Sequence, residues 1–274
     1  MVRKCLSVIL VAGLLATVGL LSAPVTGEAV GPINEVNADY TAIPPFITTV
    51  APPLVLIVLG RDQKLYFEAY DDHTDLDGDG VVETGYSPFQ SDGVTDKIRY
   101  YGYFDCDSCY TYTTSPAYPG TGGGGYFSRS GAATNRKCGG TAWSGDFLNY
   151  LTMSRMDCIR KVLYGGYRSY EDNGSTYLER AYIPRDAHAW GKEYTSVAVD
   201  GYNINDFTPL ALPTSGTKHL FATGADTQDG PPLLEILRSN THRIWEWVSK
   251  DRPILDTSCG TPAAGDKLTI RVQV

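Results

Sequence analysis

Between Asp75 and Glu83 the chain reads Asp-Leu-Asp-Gly-Asp-Gly-Val-Val-Glu, four carboxylates within nine residues. Side by side in a short loop, such charges repel one another unless a cation offsets them. Asp75, Asp77 and Asp79 alternate, so their side chains converge as the loop curls. Gly80 directly after them can take the positive φ of a tight turn. Hard oxygen donors at this spacing suit Ca²⁺, which accepts roughly 6–8 oxygens in a flexible geometry. The pattern matches the first half of an EF-hand loop, with Asp75, Asp77 and Asp79 at positions one, three and five and Gly80 at position six. Val81 would offer its backbone carbonyl at position seven and Glu83 would stand at position nine. The second half departs, because position twelve is Tyr86 where a bidentate Glu belongs, and the flanks do not read as helices. The expected ligands of a free-standing Ca²⁺ loop are therefore Asp75, Asp77, Asp79, the Val81 carbonyl and Glu83, closed by Glu83 or by an acid from further along. A solvated turn uses the same residue types, but only His73 lies nearby to neutralise it.

The compartment follows from the first residues and the cysteines. Arg3 and Lys4 precede an apolar run at 5–21 and then small residues ending in Gly27-Glu28-Ala29. That order describes a secretory signal peptide, residues 1–29, with cleavage expected after Ala29. A membrane anchor is the competing reading, since the run is about the minimum spanning length. Five cysteines would remain: Cys106, Cys109, Cys138, Cys158 and Cys259. Export allows disulfides, and an odd number leaves one thiol free or partnered elsewhere. Cys106 and Cys109 form a C-x-x-C that could be redox-active or half a zinc site. No βαβ pattern precedes it and no second such pair follows, so a bridge from Cys109 to Cys138 across the glycine-rich loop is preferred. A net charge of -8 excludes the clustered basic surface that nucleic acid requires.

Residues 30–52 read as an extended lead-in to a single domain at 53–274. Six apolar residues at 54–59 suit a strand buried on both faces. Residues 62–142 show no strong period and hold the acidic loop, a tyrosine cluster and Gly122 to Gly125, which reads as an insertion after that strand. Ser144 opens the clearest helix, stopped by Gly165-Gly166. A strand is expected at 177–183, another at 218–223, a second helix from Pro231, and a strand at 267–274. Asp157 is expected in a surface ion pair with Arg160 or Lys161. Strands alternating with helices argue for an α/β fold with a mainly parallel sheet. The tyrosines Tyr100, Tyr101, Tyr103, Tyr110, Tyr112, Tyr118 and Tyr126 have two readings, a recognition surface or a small second core.

Catalytic signatures are missing from the sequence. There is no G-x-S-x-G, no H-E-x-x-H and no phosphate loop, and the four histidines are scattered. A secreted carbohydrate-active enzyme and a nonfunctional truncated fragment stay open as alternatives.

At Trp143-Ser-Gly-Asp-Phe-Leu-Asn-Tyr-Leu-Thr-Met-Ser-Arg-Met-Asp157 and Arg160-Lys-Val-Leu-Tyr-Gly-Gly166 the chain resembles the PilC/PilY family of type IV pilus biogenesis and tip-adhesin proteins. The likeness continues at Leu178-Glu-Arg180, His188-Ala-Trp-Gly-Lys-Glu-Tyr194 and Arg243-Ile-Trp-Glu-Trp-Val-Ser249, and covers about residues 50–274. The resemblance implies an N-terminal α/β domain, sometimes of von Willebrand factor A type, followed by a C-terminal β-propeller. It also implies secretion to the cell surface, calcium dependence, and partners among minor pilins, the pilus tip and a host or abiotic surface. No enzymatic activity and no small-molecule substrate are expected. Where a von Willebrand domain carries D-x-S-x-S, this chain has Gly60-Arg61-Asp62-Gln63-Lys64. A degenerate adhesion site with no metal is therefore expected there. The propeller has no counterpart in the sequence, so a chain truncated at its C-terminus is expected.

Overall fold

The computed structural model describes residues 62–183, 188–224, 230–247 and 261–274, together with Leu56, Val58 and Gly60. The chain divides into two units, Met1–Val58 and Leu59–Val274, and every element below lies in the second. The expected signal peptide, the lead-in and most of the strand expected at 54–59 lie outside the described residues.

The fold is mixed α/β, with two sheets built mainly from antiparallel pairs. The larger sheet takes β1 (Ser108–Thr113), β2 (Tyr126–Ala132), β3 (Trp143–Ser144), β4 (Arg168–Glu171), β5 (Thr176–Glu179) and β10 (Arg271–Gln273), in the order β3-β1-β2-β10-β5-β4. The smaller takes β6 (Gly191–Tyr194), β7 (Lys218–Gly224), β8 (Leu233–Asn240) and β9 (Lys267–Thr269), in chain order. Among the described residues, only β10 and β2 pair in parallel. The expected mainly parallel sheet is thus corrected. The error came from β8. Leu233, Leu234, Glu235, Ile236 and Leu237 are all buried. Leu234 and Ile236 join the main core while Leu237 packs with Leu220 and Ala222 in a separate cluster. A strand covered on both faces loses its alternation and imitates a buried helix. Among the described residues of that stretch, helix is found at α5 (Ile244–Trp247).

The expected strand at 267–274 is two strands. Ile270 stands between β9 and β10, donates to the Pro232 carbonyl at 2.8 Å and accepts from the Arg180 N–H at 3.1 Å. One residue therefore carries the chain from one sheet into the other.

The helix opened by Ser144 is likewise two helices. α1 (Gly145–Thr152) starts as expected, with the Ser144 hydroxyl accepting from the Phe147 N–H. Met153 then leaves helical geometry, at φ -78 and ψ 132. α2 (Arg155–Tyr164) restarts from a capping box in which Ser154 and Asp157 exchange hydrogen bonds, and Gly165 ends it at φ 85. Asp157 is fully buried, also accepting from the Ala181 N–H at 2.7 Å. It is a structural tie between α2 and the segment after β5, which corrects the surface ion pair expected for it. Burial pushes its carboxyl above the usual range. Two short helices, α3 (Val197–Asp200) and α4 (Ile204–Phe207), lie between β6 and β7.

Residues 62–142 are not without regular elements. They supply β1 and β2, and their Tyr86, Tyr100, Tyr103, Phe104, Tyr110 and Phe127 belong to the main core. Tyr118 and Tyr126 form a smaller cluster with Tyr177. Cys109 and Cys138 are disulfide-bonded across a sequence separation of 29, as the preferred reading had it. Cys106 and Cys158 are free thiols, held as hydrogen-bond donors to the Tyr100 and Tyr101 carbonyls. Replacing Cys109 and Cys138 by serine is expected to lower stability by about 2–4 kcal/mol, the range for closing a loop of this size. Urea unfolding of the oxidised chain and the double variant measures it, and equal midpoints would show that the bridge constrains nothing.

Candidate metal centre

The acidic loop is shaped by its own carboxylates. Asp75 accepts from the Gly78 N–H at 2.7 Å through Oδ1 and from the Gly80 N–H at 2.9 Å through Oδ2. Asp77 accepts from the Asp79 N–H at 3.1 Å, and Asp79 from the Val81 N–H at 2.7 Å. Each Asp closes a short turn on the backbone ahead of it, and Gly78 and Gly80 absorb the curvature at φ 80 and φ 87. These hydrogen bonds, led by the one from Gly80, hold the Asp75 carboxyl below its ordinary range. Glu83 is buried and reaches back across the loop, its Oε2 accepting from the Leu76 N–H at 2.6 Å. Leu76 is half-buried and packs against the main core, which anchors the loop to the body.

Of the five residues expected at the site, three come together most closely. Asp75, Asp77 and Glu83 each offer a carboxylate oxygen, all within 4.8 Å of one another. Asp79 lies outside that triplet, and Val81 is largely exposed. Tyr86, at the twelfth position, points away into the core, donating to Asp146 Oδ2 at 2.8 Å.

The loop has a cation that local reading missed. Lys97 Nζ lies 2.8 Å from Glu83 Oε1, 3.4 Å from Asp79 Oδ2 and 3.5 Å from Asp77 Oδ2. The Glu83 hydrogen bond, with the neighbouring aspartates, holds the Lys97 ammonium well above the usual lysine range. His73, expected to be the loop's only neutraliser, instead faces Asp71 at 3.5 Å. Nothing in the loop's spacing points to Lys97, because a charge brought in by the fold carries no local pattern. The donor set fits a hard cation, with Asp75, Asp77 and Glu83 as its carboxylates. A bound Ca²⁺ would neutralise them, and Lys97 would have to give ground to it.

The family model described as "PilY1 homolog, small alpha/beta domain" matches residues 91–235. A protein of Xylella fastidiosa (strain Temecula1 / ATCC 700964), "Type IV pilus biogenesis factor PilY1 homolog", is 49% identical over 207 residues. The chain belongs to the PilY1 homolog family. That match covers 76% of this chain and 13% of the relative. A second protein of the same name and organism is 34% identical over 194 residues, covering 62% of this chain and 15% of its own length. The chain therefore spans a small part of the relatives it matches. No solved structure matches it. The family's matched segment takes in β1 to β7 and both longer helices, so the resemblance seen at 143–166 lies inside it. No described helix is long and apolar enough to cross a membrane.

Proposed function

We propose that this chain is part of an exported, non-enzymatic type IV pilus assembly and adhesion protein whose folded body is stabilised by Ca²⁺. The observation that carries the pilus assignment is the 49% identity to a protein named as a type IV pilus biogenesis factor. The convergence of Asp75, Asp77 and Glu83 supports the calcium reading. In this reading the first 29 residues direct export, and the extracellular medium holds enough Ca²⁺ for a weak site to fill. The partners are the pilus tip with its minor pilins, and a host or abiotic surface. Deleting the gene should reduce surface pili or attachment, with recovery on complementation. Unchanged pili together with unchanged attachment would remove the assignment.

The metal has its own test. A ligand that binds only the folded state stabilises by about 2.7 kcal/mol at a hundredfold excess over Kd. EGTA should therefore lower the melting temperature, and Asp75→Ala with Asp77→Ala should abolish the difference. Lys97→Met should widen it, because the competing ammonium is gone. Calorimetry showing no heat of Ca²⁺ binding at millimolar concentration would reduce the loop to a turn held by Lys97.

A further inference from the structure

Outside the acidic triplet, a buried lysine stands at the edge of the aromatic core. Lys192, on β6, has a side chain 2% exposed. Its Nζ stands 2.9 Å from Asp72 Oδ1 and 3.4 Å from Glu68 Oε2, and donates to the Tyr70 carbonyl at 2.6 Å. The Tyr150 ring covers it, with its centroid 4.7 Å from Nζ. Tyr150 Oη donates to the same Asp72 Oδ1 at 2.9 Å. The groups are fixed by separate elements: Glu68 by a backbone bridge to Ser154, Tyr150 by α1, Lys192 by pairing with Phe221 of β7. An amine, a carboxyl and a second carboxyl are thus held together in a site walled by an aromatic ring.

We propose that Lys192 and Asp72 form an intramolecular amide bond, with Glu68 as the proton carrier. The Lys192 charge is costly because its side chain is held out of water, while Asp72 keeps its side chain 31% exposed. One proton passed through Glu68 converts the ammonium and carboxylate into a neutral amine and a carboxylic acid. The amine lone pair then attacks Asp72 Cγ and the C–N bond forms. Tyr150 Oη is placed to stabilise the charge that develops on Oδ1. Glu68 takes a proton from the nitrogen and returns it to the departing oxygen, so the C–O bond breaks and water leaves. One ammonium and one carboxylate become one amide and one water, with no oxidant or reductant required. The buried ammonium charge and its partner carboxylate charge vanish in the same step. Asp72 is the acceptor because it is nearer to Nζ and is the one that Tyr150 polarises. It also borders a cavity of about 320 Å³ lined by Thr84, Ser87, Glu193 and Tyr202, which gives the released water a way out. Burial raises the Glu68 carboxyl above its ordinary range, favouring the protonated form that a carrier needs.

The test is proteolytic mapping of the purified, reduced full chain by tandem mass spectrometry. The expected result is a branched peptide that joins the segment holding Asp72 to the segment holding Lys192, lighter than their sum by one water. Intact mass alone is not decisive, since imide formation at Asp77-Gly78, Asp79-Gly80 or Asp92-Gly93 loses the same water. Lys192→Arg, which keeps the charge and removes the nucleophile, should give only linear peptides. Glu68→Gln should fold, with the Cys109–Cys138 bridge intact as the check, and form the branch roughly 10²-fold more slowly, the scale of a lost general acid–base group. Linear Asp72 and Lys192 peptides from the wild-type chain would overturn the proposal. A branch from Lys192 to Glu68 would overturn the choice of Asp72, and an unchanged rate in Glu68→Gln would overturn the proton carrier.

Discussion

Replacing Tyr100 by alanine should destabilise the protein by about 3–5 kcal/mol, the range for deleting a large buried ring, whereas Tyr101→Ala should stay within about 0.5 kcal/mol. Tyr100 is fully buried and Tyr101 is 45% exposed. The Tyr100 ring lies 5.0–5.2 Å from those of Tyr70, Tyr86 and Tyr150, and its hydroxyl accepts from the Ser87 N–H at 3.0 Å. Burial, the leading cause, raises the phenol far above its usual range. Removing the ring therefore opens a cavity and orphans a backbone donor together. Urea midpoints of the two single variants decide the matter. If Tyr100→Ala unfolds like the wild type and instead loses attachment, the ring is a contact residue and the core assignment fails.

Asp146→Ala should cost a similar amount, about 3–5 kcal/mol, because it removes one partner from a buried charged network. Asp146 is the second residue of α1 and is fully buried. It accepts from Tyr86 Oη at 2.8 Å and from the Tyr100 N–H at 3.0 Å, and stands 3.7 Å from Arg136 Nη1. Arg136 is itself buried, pairs with Asp96 and lies over the Phe89 ring. Without the carboxylate, a phenol, an amide and a guanidinium are left short of a partner in the interior. Asp146→Asn keeps the volume and one acceptor, so it should cost less than alanine. Equal losses for the two would mean that the carboxylate charge, which both variants remove, carries the whole effect and that the volume and acceptor kept by asparagine contribute nothing.

Both residues show how far reading along the chain could go. Ser144 and Gly165 were legible as helix ends because caps are local chemistry: a hydroxyl, or a residue free to take positive φ. The break between α1 and α2 was also written locally, as Ser154-x-x-Asp157, but the apolar period running through it drew the eye to one helix. Cys109 and Cys138 were readable because they flank the glycine-rich loop that their bridge closes. The tyrosines were not, since a ring at 100 and a ring at 101 look alike until packing decides which faces inward. Lys97 was invisible for a related reason: it meets Asp77, Asp79 and Glu83 only after the chain folds back. The acidic loop itself was plain, although the closest grouping kept Asp75, Asp77 and Glu83 and left Asp79 to the lysine. β8 was misread because burial on both faces erases the period that separates strand from helix.

The placement of β10 governs the order in which this body can be completed. It occupies the gap between β2 and β5, in the interior of the larger sheet, yet it follows every other described strand of that sheet along the chain. Until residues 271–273 arrive, β2 and β5 each present a bare edge, and such edges recruit other chains. Pairings this distant in sequence also form slowly. Ile270 ties that late insertion to the smaller sheet, so the two halves close in one event. A growing or translocating chain is thus committed to a period of open-sheet vulnerability that ends only when β10 is in place. Shielding during that interval would matter more to its yield than any gain in the stability of the finished fold.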